Sequence, residues 1–136
     1  MLNRKIKIGL LGTRGIPNKY GGFEQFVQFF AEYLDDKNFD VTVYNPHFHK
    51  DKSYKLKNIN IVHKWCPENY IGAAAHFIYD FLCLKHSLER NCDIIFEFGY
   101  GTVAISYFVL PIKKTKIVTN MDGLEWKRSK WNFSKK

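Results

Sequence analysis

Apolar positions along the chain switch between two periods. Residues 6–11, apolar but for Lys7 and closed by Gly12, predict a strand. Phe23, Phe26, Val27, Phe30, Ala31 and Leu34 then recur at helical spacing, which predicts a helix with one buried stripe. A second short strand, 41–44, stops at Asn45-Pro46, and a polar loop through Lys57 leads to a third at 59–63. Ala74, Phe77, Ile78, Phe81, Leu82 and Leu88 mark a long helix ahead of Asp93. The run Ile94-Ile95-Phe96-Glu97-Phe98 predicts a buried strand closed by Gly99-Tyr100-Gly101. Residues 103–109 read as helical up to Pro111, and 116–120 as the last strand.

Strands alternating with helices need crossover connections, so the pattern predicts an α/β, Rossmann-like domain with a parallel sheet covered by helices. The length suits a single such domain over 1–136 and is too short for two. In sheets of this kind ligands collect beyond the carboxyl ends of the strands. Here those places are 12–22, 45–49, 99–102 and 121–126.

Composition narrows the class. No run of about 18 or more apolar residues occurs, so no transmembrane helix is expected. The basic start, Met1-Leu2-Asn3-Arg4-Lys5, is followed by neither a long apolar segment nor a small-residue cleavage site, and no signal peptide is expected. Cys66, Cys83 and Cys92 are odd in number, widely spaced and set among apolar residues, as suits reduced, packed thiols of a cytoplasmic protein. There is no CxxC or HExxH, and His47 with His49 supplies two ligands at most, so no metal is expected. The net charge is +8, with Lys113, Lys114 and Lys116 clustered and Lys127, Arg128, Lys130, Lys135 and Lys136 crowding the end. Such a surface either favours an anionic lipid, a phosphorylated substrate or nucleic acid, or only solubilises the chain. No RNP, zinc-finger or homeodomain pattern is present, which argues against nucleic acid.

Three segments could carry chemistry. Residues 12–24, Gly12-Thr13-Arg14-Gly15-Ile16-Pro17-Asn18-Lys19-Tyr20-Gly21-Gly22-Phe23-Glu24, leave a strand and enter a helix, where free N–H groups and the helix dipole favour an anion. The dinucleotide fingerprint would need glycine where Arg14 stands, and no Walker Gly-Lys-Ser or Gly-Lys-Thr occurs. Gly21 and Gly22 either let backbone approach a ligand, with Arg14 as a cation, or provide positive φ angles for a long turn. Glu24 either touches ligand or complements the helix dipole. Residues 121–131 combine Asp122 and Glu125 with Trp126, Trp131 and three cations, a mixture suited to sugar recognition. Asp122 as a helix N-cap and Trp126 as a core anchor are the plain alternatives. Glu97 sits in an apolar strand, an expensive place without a partner. It is expected either to pair with a backbone or cationic group or to touch substrate, beside Gly99 and Gly101.

The run Lys7-Ile8-Gly9-Leu10-Leu11-Gly12-Thr13-Arg14-Gly15-Ile16-Pro17, followed by Tyr20-Gly21-Gly22-Phe23-Glu24, resembles the start of bacterial rhamnosyltransferase-type enzymes. These belong to the large retaining GT-B glycosyltransferase family (family 4 type) that includes sucrose and glycogen synthases. Asp122-Gly123-Leu124-Glu125-Trp126-Lys127-Arg128 with Lys130-Trp131 is similar to a second hallmark of that group. The resemblance covers essentially the whole chain. It implies the amino-terminal, acceptor-side half of a two-domain enzyme, whose carboxyl-terminal donor domain lies outside these residues, so that this chain alone is expected to be inactive. Gly21 and Gly22 would approach the donor diphosphate and reacting sugar, and Asp122 would stand where many relatives place a histidine lining the sugar site. Arg14, Glu24, Glu97, Glu125 and Trp126 join them as candidate substrate-binding residues. No metal or other cofactor is implied, because the leaving diphosphate itself helps accept the acceptor's proton. The implied partners are a nucleotide-sugar donor and a lipid-linked sugar acceptor of capsule or other polysaccharide biosynthesis, with rhamnose as one candidate sugar. The implied place is the cytoplasm, with peripheral contact at the inner face of the cell membrane. Two other readings stay open on the residues: a non-catalytic α/β ligand-binding module and, weakened by the failed fingerprint, a dinucleotide-dependent oxidoreductase.

Overall fold

The structure, a computed structural model, describes residues 4–112 and 114–121. Five strands form one sheet: β1 (Lys7–Leu11), β2 (Asp40–Pro46), β3 (Asn60–Lys64), β4 (Ile94–Phe98) and β5 (Lys116–Asn120). Their order is β3-β2-β1-β4-β5, and every neighbouring pair is parallel. Helix α1 (Gly22–Asp36) joins β1 to β2. Between β3 and β4 come a single turn, α2 (Glu68–Ile71), a 3-10 turn over Gly72–Ala74, and α3 (Ala75–Glu89). A 3-10 helix over Ala104–Phe108 joins β4 to β5. The expected α/β, Rossmann-like architecture is therefore present. Because the strand order runs both ways from β1, the loops after β1 and β4 diverge at the carboxyl edge of the sheet, the place where such folds bind ligands.

Alternation along the strands divides the core. Ile8 and Leu10 of β1, Val41 and Val43 of β2 and Phe98 of β4 face α1, packing with Val27, Ala31 and Leu34. Leu11, Tyr44 and Ile95 face the other way, onto Tyr79, Cys83 and Leu84 of α3. Gly9 lets α3 come close, since a Cβ there would lie 3.1 Å from Ser87 Oγ. Tyr44, buried on this face, accepts a hydrogen bond from Ser87 Oγ at 2.9 Å, and its hydroxyl meets His86 Nδ1 at 2.9 Å. No helix joins β2 to β3; Tyr54 and Leu56 from that connection complete the α1-side core. Cys66, Cys83 and Cys92 are free and buried, as the sequence pattern anticipates.

Two helices differ from the sequence expectation in which faces they bury. On α1 the buried positions are Glu24, Val27, Ala31 and Leu34, whereas Phe26 is half exposed and leans on the Phe30 and Phe98 rings at 5.5 and 5.7 Å. On α3 the buried positions are Ala75, Tyr79, Asp80, Cys83, Leu84 and Ser87. The larger residues that mark this helix in the sequence, Phe77 and Ile78, lie on its outer side. A helix apolar nearly all round has two candidate inner faces, and the small residues allow the closer approach to the sheet.

Truncating Leu10, which is fully buried, should cost about 2–5 kcal/mol for Leu10→Ala. Phe29→Ala on the exposed side of α1 should stay within about 0.5 kcal/mol of the parent. Chemical denaturation of both variants checks this, and equal losses would mean that α1 is oriented otherwise.

Candidate functional site

The loop between β1 and α1 is fixed from several sides. Asn45, fully buried at the end of β2, accepts the Ile16 N–H through Oδ1 at 3.0 Å and donates Nδ2 to the Ile16 carbonyl at 2.7 Å. Glu24, in the first turn of α1, accepts the Arg14 N–H at 2.9 Å. Asn18 Oδ1 accepts the N–H groups of Tyr20 and Gly21, and Gln28 accepts that of Asn18. Lys19 pairs with Asp51 at 2.6 Å, tying the loop to the β2–β3 connection. A loop held this way can present its backbone without rearrangement.

Its glycines fall into two kinds. Gly12 and Gly15 have φ of 84° and 91°, and a Cβ at either would strike its neighbours, Phe98 O at 2.7 Å and Asn45 Cγ at 2.4 Å. These two are required by the fold. Gly21 is extended, with φ −175°, and a Cβ at Gly22 would meet nothing within 4 Å. Neither needs glycine for backbone angle or internal packing, so the positive-φ explanation holds for Gly12 and Gly15 and not for the Gly21-Gly22 pair. On the β4 side, Gly101 likewise has open space around it.

Between the two loops lies a cleft of about 420 Å³, within the usual range for small-molecule sites. Arg14 stands at its wall, donating to Glu68 at 2.8 and 3.4 Å and lying 5.4 Å from the centre of the Tyr20 ring. The inner wall is made by the α3-facing side of the sheet and by α3 itself: Glu97, Tyr79, Asp80 and His76, with Thr102 from the loop after β4. Asp80 accepts a hydrogen bond from the Thr102 hydroxyl. Burial pushes its carboxyl above the usual carboxylate range. Glu97, 1% exposed, is pushed up first by burial and further by the nearby Asp80. Its Oε2 receives the Thr119 hydroxyl at 3.5 Å, while Oε1 has no partner among the described residues. The Tyr107 hydroxyl lies beside this carboxyl but outside strict hydrogen-bond geometry, and it and the Tyr79 hydroxyl are also buried without a partner. Buried polar atoms are seldom left unpaired, and Glu97 Oε1 and the Tyr79 hydroxyl are two such atoms on residues that line this cleft.

The structure thus brings Arg14, Glu24 and Glu97 to one cleft, with Gly21 and Gly22 at the start of the helix beside it. Among the described residues Glu97 meets neither a backbone group nor a cation, only the Thr119 hydroxyl. Asp122, Glu125 and Trp126 lie outside the described residues. Sequence reasoning missed Asp80, His76 and Tyr79 on α3 and the clamp by Asn45. Asp80 has a visible signal, an acid inside the apolar run Phe77-Ile78-Tyr79-Asp80-Phe81-Leu82, the same anomaly that singles out Glu97. Asn45 has none, because its role depends on a loop nearly thirty residues away.

Two outcomes follow from this geometry. Gly22→Ala should keep or raise stability by up to about 1 kcal/mol, whereas Gly12→Ala should lose more than that, since alanine is disfavoured at positive φ; thermal melts of both compare them. Glu97 should make the protein less stable as pH rises. Its folded carboxyl holds the proton to higher pH than the unfolded one, with its ordinary value of 4.5, so folding is favoured below that value and loses the advantage as pH climbs through the raised value. Glu97→Gln removes this slope. The stability of the variant relative to the parent should therefore grow from pH 4 towards neutrality, and a constant difference across that range would contradict the assignment.

Comparison with known proteins adds a family and nothing on activity. No curated protein matches the chain, and no solved structure matches it. A family described as "Domain of unknown function (DUF1972)" matches residues 5–136. With a parallel α/β domain and a polar cleft at its switch point, the chain belongs to this DUF1972 family.

Proposed function

We propose that the chain is the acceptor-side domain of a retaining glycosyltransferase that moves a sugar, rhamnose being one candidate, from a nucleotide-sugar to a lipid-linked or polysaccharide acceptor. The observation that carries this reading is the continuity of two unlike surfaces. Thr102 lines both the polar cleft and an apolar groove of about 310 Å³ formed by Phe77, Ile78 and Phe81 of α3 with Ile105 and Val109 beyond β4. Residues 98–112 contain no charged side chain, and Ile105, Phe108 and Val109 are 60%, 92% and 68% exposed. Apolar surface on this scale, beside a polar cleft, suits a molecule with a sugar at one end and hydrocarbon at the other. The lysines at 114 and 116 follow directly and are exposed, as suits an anionic membrane surface.

In this reading the Gly21-Gly22 backbone faces the donor diphosphate and the reacting sugar, and the cleft holds the acceptor. The domain positions the acceptor hydroxyl while the leaving diphosphate takes up its proton. Asp122 is the remaining candidate for a side chain at the reacting sugar. A dinucleotide-dependent oxidoreductase is less well supported. Such enzymes place an acid at the end of the second strand for the ribose, and here Asn45 fills that end with its amide committed to Ile16.

Sedimentation with anionic vesicles, with and without a polyprenyl-diphosphate-linked sugar, tests the reading alongside calorimetry with UDP- and dTDP-sugars. The chain should prefer vesicles carrying the linked sugar and should bind nucleotide-sugars weakly at best. Phe108→Ser should weaken vesicle binding severalfold, as expected when an exposed aromatic ring that would insert among the lipids is lost, without unfolding the domain. Micromolar binding of nucleotide-sugars together with indifference to the linked sugar would contradict it.

A further inference from the structure

The charges of the cleft restrict what can enter it. Among the described lining residues Arg14 is the only lysine or arginine, and its guanidinium is already engaged by Glu68. Against it stand three acids: Glu24, Asp80 and Glu97, all buried. Glu24 is occupied by the Arg14 N–H and Asp80 by Thr102. Among the described residues, Glu97 Oε1 and the Tyr79 hydroxyl are the lining groups without a partner. No group of three or more His, Cys, Asp or Glu among the described residues is placed to hold a metal ion.

We propose that this floor admits an uncharged or amino-bearing sugar ring and rejects a ring carrying a carboxylate or phosphate, an inference that rests on the reading of the cleft as a saccharide site. A hydroxyl can donate to Glu97 Oε1 and accept from Tyr79, satisfying both orphan groups at once. An ammonium group serves the carboxyl still better. An anionic group at the same depth would meet buried acids with no lysine or arginine free among the described lining residues and only the His76 ring nearby, in surroundings where water screens little. Any phosphate of the acceptor is therefore kept at the mouth, away from these acids.

The test is a saccharide panel on the 136-residue chain, read by saturation-transfer NMR and competition. It comprises methyl glycosides of the gluco, galacto, manno and rhamno series, with the corresponding glucosaminide and galactosaminide, and the glucuronide and galacturonide. At least one neutral or amino glycoside should bind, and the uronide matching it in ring configuration should bind at least tenfold more weakly. Asp80→Asn and Glu97→Gln should narrow that gap to a fewfold. Should either variant fail to fold, the parent panel alone decides. A uronide binding as tightly as its neutral counterpart would overturn the inference and leave the saccharide reading standing. Absence of binding by every glycoside to the folded chain would overturn the saccharide reading itself.

Discussion

The Asn45 carboxamide, buried at the end of β2, closes two hydrogen bonds on the backbone of Ile16 and so fixes the loop that leaves β1. Removing it would strand a buried N–H and a buried carbonyl together, a cost of about 1–3 kcal/mol for each. The rest of the cleft follows from that anchoring. With Ile16 held, Gly15 is pressed against Asn45, Gly12 passes under the Phe98 carbonyl, and Glu24 reaches the Arg14 N–H. The chain then enters α1 through Gly21 and Gly22, which no internal contact crowds.

The second constraint is the alternation of β4. Ile94, Phe96 and Phe98 face α1, so Ile95 and Glu97 must face α3. This turns a carboxyl group towards Asp80 and away from solvent. Two acids facing each other in low-dielectric surroundings oppose folding at neutral pH, and among the described residues they are offset only by the hydroxyls of Thr102 and Thr119, the neighbouring Tyr107 hydroxyl and the nearby His76 ring. Cost without structural compensation is typical of groups retained for a ligand. The same helix that brings in Asp80 and Tyr79 exposes Phe77 and Ile78 on its outer side, so a polar floor and an apolar groove arise from different faces of α3 and meet at Thr102.

Much of the fold is legible in the sequence because strand and helix periods are strong. Residues 94–98 and 116–120 match β4 and β5, and the remaining strands and long helices fall within a residue or two of their expected ends. The inner face of α3 is not legible, since Phe77, Ile78, Phe81 and Leu82 compete with smaller residues for the sheet. Of the site, Glu97 announces itself by its cost in an apolar strand. The division of the glycines into fold-required and unexplained needs backbone angles and neighbours that spacing alone does not carry. The Asn45 clamp joins parts of the chain that no local pattern connects.

The central claim is that ligand binds at the carboxyl edge of the sheet, between the loops after β1 and β4. Backbone amide chemical-shift mapping of the labelled chain, titrated with neutral methyl glycosides, addresses it most directly. The account predicts saturable shifts concentrated at Gly12, Thr13, Gly99, Gly101 and Thr102. Shifts centred instead on the groove at the opposite edge, lined by Arg4, Lys85 and Lys114, would contradict it.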